Sequence, residues 1–345
     1  MKVLRFFLFP FSLVYATITS LRNLLYDKQG FKSEVFPIPI INVGNLSVGG
    51  TGKTPQVEYL VKLLQDDYKV AILSRGYRRK TKGYLLADAN SDALEIGDEP
   101  FQYHSKFSNI SVAVCEKRVE GIQNLLNSVK PDVILLDDAF QHRAVQPSFN
   151  ILLTKYNDLL VDDYVLPMGN LREPRGGVNR ANCIVVTKCP NTLTENEQTK
   201  IRNRFSKYKK PVFFTRIKYN DALSGYSEMA IEKLENVKIL LVSGIANPSP
   251  LLTFFEDQKI QFRHLEFPDH HHFSAKDVKD IMDSFHQLGG ESKLIVTTEK
   301  DYVRLKDKIS NLSYLGIEVE FINDSKSFDN QITKHLQEFK VSYHE

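Results

Sequence analysis

Short apolar runs bounded by turn residues alternate with helically spaced ones along most of the chain. Ile38 to Val43, Val70 to Ser74, Ile110 to Val114, Val133 to Asp138, Asn150 to Thr154, Cys183 to Thr187 and Val212 to Thr215 read as strands of a first half. After the first of them, Val57, Leu60, Val61 and Leu64 fall at i, i+3, i+4, i+7, the spacing of one helical face. A charged, polar stretch near Lys218 to Asn236 then interrupts the pattern. A second series follows, with strands at Ile239 to Ser243, Phe262 to Phe267, Leu294 to Thr298 and Val319 to Ile322, and helical stretches from Pro250 and Ala275. Strands alternating with helices predict an α/β fold with a mostly parallel sheet in each half.

The N-terminus departs from this pattern. Met1 to Leu25 is almost entirely apolar or small, with Lys2, Arg5 and Arg22 as its charges. As a helix, the uncharged run Phe6 to Leu21 is roughly 24 Å long, short of the ~30 Å hydrocarbon core. Pro10 and four hydroxyl residues weaken a spanning reading further. No A-x-A-like cleavage site follows, which counts against a signal peptide, and a core helix is the third alternative. The reading adopted is a helix lying in or dipping into the cytoplasmic leaflet, its basic residues near anionic lipid. The predicted division is therefore 1–28, 29–217 and 218–345, with two domains fitting a length of 345 residues.

Charge and cysteine content narrow the class. Lys and Arg number 45 against 42 Asp and Glu, and a net +3 gives no argument for nucleic acid. Cys115, Cys183 and Cys189 are few, odd in number and without C-x-x-C spacing, so neither a disulfide framework nor a zinc site is expected.

The strongest chemical signal is Gly44 to Pro55, between the first strand and the first helix. A glycine-rich turn there lets backbone N–H groups face phosphate oxygens, and the helix N-terminus adds positive potential. In such a P-loop, Gly49, Gly50, Thr51 and Gly52 cradle phosphate, Lys53 reaches the β/γ-phosphates and the Thr54 hydroxyl binds Mg²⁺. Ser47 occupies the slot where G-x-x-x-x-G-K-[ST] has glycine. Downstream, Asp137-Asp138 end an apolar strand in the manner of a Walker B motif, with one carboxylate serving Mg²⁺ and Gln141 able to line the site.

Several further stretches fall at strand ends, where ligands of open α/β sheets bind. Arg75 to Lys80 is basic and reads either as an anion site or as a solvated loop. Gly97-Asp98-Glu99-Pro100 reads by itself as a helix cap. Lys117 and Arg118 open a helix. The loop Leu166 to Gly177 is rich in Gly, Pro and Arg, and its Arg172 suits a transferring phosphate. His270 to His272 lack a second ligand set with metal spacing, so one histidine beside Asp269 is the preferred reading.

Taken in order, these residues resemble one family, the tetraacyldisaccharide 4'-kinases of lipid A synthesis. The resemblance covers most of the chain. It runs through Gly44-Asn45, Gly49 to Pro55, Ser74 to Tyr77, Gly97 to Pro100, Asp137 to His142 and Gly169 to Pro174. It continues through Ser243 to Pro248, Asp269-His270 and Thr298 to Asp301. That family tolerates a small hydroxyl residue at the Ser47 slot. The resemblance implies a P-loop kinase domain with a smaller C-terminal α/β domain and the site in the cleft between them. It also implies ATP and Mg²⁺, with transfer to the 4'-hydroxyl of an acylated disaccharide 1-phosphate. The enzyme would work at the cytoplasmic face of the inner membrane, as a monomer. By resemblance Asp98 is the base and His270 supports it. Lys53, Arg118, Asp137, Asp138, Gln141, Arg172 and Glu173 line the nucleotide and metal site; which of Asp137 and Asp138 acts on the metal stays open.

Two readings of other classes compete. A P-loop switch or metallochaperone would need neither the apolar N-terminus nor an acceptor base. A membrane-bound binding protein with a dead P-loop is opposed by the intact Lys53, Thr54 and Asp137-Asp138.

Overall fold

The computed structural model describes residues 5–269, 271–290 and 292–344. In chain order the first half comprises α1 (Phe9–Asp27), β1 (Ile40–Asn45), α2 (Lys53–Leu64), β2 (Val70–Ser74), β3 (Leu85–Leu86), α3 (Ala93–Ile96), α4 (Asp98–Lys106), β4 (Ser111–Val114), α5 (Arg118–Ser128), β5 (Val133–Asp137), β6 (Phe149–Lys155), β7 (Cys183–Thr187) and α6 (Glu195–Phe205). Then follow β8 (Val212–Gly225), β9 (Lys238–Ser243), α7 (Ser249–Asp257), β10 (Phe262–Glu266), α8 (Ala275–Gln287), β11 (Lys293–Thr298), α9 (Glu299–Leu305), β12 (Leu312–Phe321) and α10 (Ser325–His344).

β1, β2, β5 and β7 are buried along their whole length. That is why they are continuous apolar runs: helices cover both sheet faces. On one face Val57, Leu60, Val61 and Leu64 of α2 pack with Ile41, Val43 and Leu135. On the other, Ile122 and Leu125 of α5 pack with Ile40, Leu73 and Leu136. β1 pairs with β5 on one side and β6 on the other, both parallel. The turn leaving β1 therefore opens into the crevice where the sheet order changes direction.

One expectation is corrected. Instead of a sheet in each half, the described strands form one twelve-stranded sheet, ordered β10-β9-β11-β12-β8-β7-β6-β1-β5-β2-β4-β3. All pairs are parallel except β12–β8 and β3–β4. The join is β8, whose residues 212–214 pair with β7 and whose residues 215–225 pair with β12. Its outer part, with Arg216, Lys218 and Asp221, is only half-buried, so the apolar signal stops at Thr215 while the strand continues. β12 begins seven residues earlier than Val319, and its early residues Leu312, Ser313, Leu315 and Gly316 are buried. The C-terminal α10 returns to the first half, where Phe328, Ile332 and Leu336 join the core beneath α2.

α1 is amphipathic in reverse. Ser12 is buried, whereas Phe11, Leu13, Val14, Ile18, Leu21 and Leu24 are each at least 50% exposed. No described helix is long and apolar enough to cross a membrane.

Candidate active site

A cavity of about 1200 Å³ opens at the C-terminal ends of β1, β2, β5, β6 and β7, closed on its far side by Ile245, Asn247, Asp269 and Lys300 of the second half. Gly49, Gly50 and Lys53 form its floor. Gly52 is the N-cap of α2 in the left-handed region (φ 85°), a conformation glycine adopts without a Cβ penalty. Ser47 is absent from the positive-φ residues, so its backbone needs no glycine. Ser47 bridges Leu171, Val48 N–H donates to Asn170 O (2.8 Å), and Arg172 N–H donates to Leu46 O (2.7 Å). The Gly169 to Pro174 loop is thereby zipped onto the P-loop and carries Arg172 into the site.

Lys53 Nζ stands 3.7 Å from Asp138 Oδ2. Arg172 donates to the same oxygen (3.2 Å), to Asn45 Oδ1 (3.1 Å) and to Gln141 Oε1 (3.2 Å). Asp137 is buried; its Oδ2 accepts from Ser74 Oγ (3.3 Å). Burial, with the Glu99 and Asp138 charges, pushes the Asp137 carboxyl up to about 7 against the pull of Lys53 and Arg118. Asp137 Oδ1 and Asp138 Oδ1 are both buried with no partner among the described residues. Two hard oxygens left unsatisfied beside a P-loop fit a divalent cation, whose charge would reverse the upward shift. No group of three or more metal-ligating side chains stands together among the described residues; Mg²⁺ at phosphate sites takes one or two carboxylates plus phosphate oxygens.

The remaining sequence-picked residues divide into those at the cavity and those behind it. Arg118 lines the cavity with its guanidinium bonded to Cys115 O (2.7 Å) and Asp137 O (3.4 Å); burial pushes it down to about 10, against the two aspartates. Gln141 also lines the cavity, but its Oε1 is occupied by the Arg172 cation and its Nε2 donates to Asn45 O and Glu173. It is a strut in this geometry, not a free metal ligand. Glu173 is 2% exposed and outside the cavity wall, gripped by Asn23, Gln141 and Arg180; it supports the site from behind. Thr51 is likewise buried, its hydroxyl accepting from Asn45 and its carbonyl from Thr187 (2.7 Å). The Thr54 side chain lies beside the Tyr103 hydroxyl.

Asp98 does not cap α4. It is the first helical residue, Gly97 being the N-cap with no side-chain cap bond. Its carboxylate receives Arg304 of α9, with Nε on Oδ1 (3.1 Å) and Nη2 on Oδ2. Asp98 is not in the cavity wall, whereas its neighbour Glu99 is. His270 lies outside the described residues.

Sequence reasoning missed Glu99, His142, Lys155 and Lys188 as cavity residues. Lys155 ends β6 and Lys188 follows β7, so the strand-end rule could have found them. Lys188 is held below its usual value by partial burial and then by the Lys155 and Lys53 charges, while its side chain keeps solvent access. His142 accepts from Arg118 N–H (3.4 Å) and is pushed down to about 4 by burial and the Arg118, Arg22 and Arg75 charges. The cavity thus sets seven cationic side chains (Lys53, Arg75, Arg118, Lys155, Arg172, Lys188 and Lys300) against five carboxylates (Glu99, Glu116, Asp137, Asp138 and Asp269), a lining suited to a polyphosphate with a divalent cation.

Known proteins agree with that chemistry. Residues 4–337 match the family described as tetraacyldisaccharide-1-P 4'-kinase. The chain is 50% identical to the tetraacyldisaccharide 4'-kinase of Flavobacterium johnsoniae, over 98% of this chain and 99% of that protein. It is 43% identical to the Bacteroides thetaiotaomicron protein of the same name, over 96% and 93%. Its fold is similar to a crystal structure of the "apo" form of LpxK from Aquifex aeolicus in complex with ATP. There the TM-score is 0.78 and the identity 32%, covering 96% of this chain and 99% of that one. With matches of this length and identity joined to a P-loop, a carboxylate pair and the zipped arginine loop, the chain belongs to the tetraacyldisaccharide-1-P 4'-kinase family.

Proposed function

We propose that the protein transfers the γ-phosphate of ATP to the 4'-hydroxyl of a tetraacyldisaccharide 1-phosphate, with Mg²⁺, at the cytoplasmic face of the inner membrane. The observation that carries this is the convergence of Lys53, Arg172 and the orphaned Asp137–Asp138 oxygens on one P-loop. Lys53 binds the phosphates and Arg172 spreads over the charge that builds on the transferring group. Asp137 and Asp138 would hold Mg²⁺, and Thr54, the second residue of α2, is the candidate hydroxyl ligand. Bound there, the cation would supply positive charge that offsets the charge of the phosphates. Most of the acceleration comes from positioning and charge stabilisation.

A sugar hydroxyl needs a proton acceptor. Asp98 fills that role in the primary reading, positioned by Arg304 across the seam between the 29–217 and 218–345 lobes. A second reading is favoured by one fact: Glu99, not Asp98, faces the cavity. Comparing Asp98→Asn with Glu99→Gln separates them. The base variant should lose roughly 10²–10⁴-fold in kcat with ATP affinity kept, and the other should not.

The lipid acceptor gives α1 its purpose. Its outward apolar side chains suit the cytoplasmic leaflet, lying in the interface rather than spanning it. Mass spectrometry of the products formed from ATP and a lipid A precursor tests the whole proposal. ATP consumption without a phosphorylated lipid would sink it.

A further inference from the structure

A helix that packs on a soluble domain normally turns an apolar stripe inward. α1 turns a polar one. Ser12 Oγ accepts from Met168 N–H (2.8 Å), Tyr15 OH donates to Arg172 O (3.2 Å), and Arg22 donates to Gln141 O (2.5 Å). Asn23 Nδ2 donates to Glu173 Oε2 (2.5 Å). Polar groups lose water here; each of these four atoms has a partner, whereas the buried Asn23 Oδ1 has none among the described residues. Three of the partners, Gln141, Arg172 and Glu173, belong to the cluster that aims the Arg172 guanidinium. Apolar contact would serve for attachment alone; directional bonds fix geometry.

The bonds form a relay of set polarity. Glu173, buried, can only accept as a carboxylate, and takes Asn23, Gln141 Nε2 (3.2 Å) and Arg180 (2.7 Å). That turns Gln141 Oε1 toward Arg172, which in turn donates to Asp138 (3.2 Å). Flipping the Gln141 amide would set oxygen against carboxylate and NH₂ against guanidinium. Gly177 lies beside Glu173: an added Cβ would meet its carboxyl at 3.2 Å, so a larger residue there would press on the carboxylate.

We propose that Asn23 and Tyr15 are positioning residues for the phosphoryl transfer. The inner stripe of α1 holds the Glu173–Gln141–Arg172 relay in register, so that seating α1 in a lipid surface and aiming Arg172 at the phosphate are one structural event. This rests on the proposed role of Arg172 in the transfer.

The test uses the full-length protein. Asn23→Leu keeps the branching at Cγ and removes the donor; Tyr15→Phe removes one hydroxyl on the same stripe. Expected results are a 10–100-fold lower kcat for Asn23→Leu and a 3–10-fold loss for Tyr15→Phe. ATP affinity, melting temperature and cosedimentation with anionic phospholipid vesicles should stay near those of the unchanged protein. Asn23→Asp alone sets two carboxylates together and should be at least as damaging as Asn23→Leu. Combined with Glu173→Gln, it exchanges donor and acceptor and should recover at least tenfold of the loss, which a general packing role would not produce. Arg172→Ala is measured alongside. If it lowers kcat while Asn23→Leu and Tyr15→Phe are silent, the relay is refuted and the reading of Arg172 stands. If Arg172→Ala is itself silent, that reading fails and the relay with it. A kcat loss that merely tracks lost vesicle binding would also overturn the relay, reducing α1 to an anchor.

Discussion

Asp137 carries the sharpest consequence at the scale of single residues. Its carboxyl is raised from an ordinary 3.8 to about 7, mainly by burial, so between those values the folded state binds a proton that the unfolded state has released. Stability then falls as pH rises through that window. Glu58, raised to about 7 by burial and Glu299 against the pull of Lys106, acts in the same direction. Thermal melts without Mg²⁺ should drop as pH rises from about 4 to about 7. Asp137→Asn should flatten part of that slope and remove most of the stabilisation by Mg²⁺ with nucleotide. An unchanged slope would mean that Asp137 is ionised throughout. Lys53→Ala belongs at the same scale: it should abolish transfer, and near-normal turnover would deny the P-loop its assigned chemistry.

Turns and helices decide where those residues point. Gly97 has φ 94°, and a Cβ there would meet Tyr77 O at 3.1 Å and Gly76 Cα at 3.3 Å. Only glycine lets the β2 loop and the start of α4 approach so closely. Gly97→Ala should cost ~1–3 kcal/mol of stability, read from urea melts, and should lower kcat further by displacing Asp98 and Glu99. α1 makes the other prediction at this scale. Removing residues 1–25 should shift the protein from the membrane to the soluble fraction while ATP binding persists. Unchanged partitioning would put the main anchor elsewhere.

Across the whole molecule, the two halves meet through a buried ionic cluster as well as through β8, the Asp98–Arg304 pair and the return of α10. Lys106 of α4 lies 2.7 Å from both Glu58 of α2 and Glu299 of α9, with the carboxylates 4% and 8% exposed. Gln102 also donates to Glu58 (2.7 Å). The P-loop helix, the helix that starts with Asp98 and the second half are thereby held in fixed relation. Removing the cation leaves Glu58 and Glu299 buried side by side without a counter-charge, so Lys106→Met should destabilise by ~3–5 kcal/mol at alkaline pH, where both would be ionised. At pH 5 the loss should be smaller, because the freed carboxylates then take up protons. A pH-independent loss would point to packing as the main role of Lys106.

Periodicity and motif order alone were enough to read the strands of the first half apart from β3 and the outer part of β8, the helix after the P-loop and the family. A fully buried strand must be continuously apolar, and a phosphate turn must carry glycines, Lys53 and Thr54 in register; both constraints are local in the chain. The single sheet was not legible, because the outer part of β8 is half-exposed and its joining partner β12 lies about a hundred residues away. Nor could sequence sort the cavity wall from its supports. Gln141 and Glu173 look like site residues in the motif, yet Glu173 stands behind the wall and Gln141 is occupied by Arg172. Glu99, Lys155 and Lys188 reach the cavity only because separate strand ends converge there. The apolar N-terminus was visible in the first 25 residues; the direction of its polar stripe was not. Which side of a helix faces inward depends on what surface the rest of the chain offers it. Here that surface is the loop carrying Arg172, brought beside α1 by contacts more than a hundred residues apart in sequence.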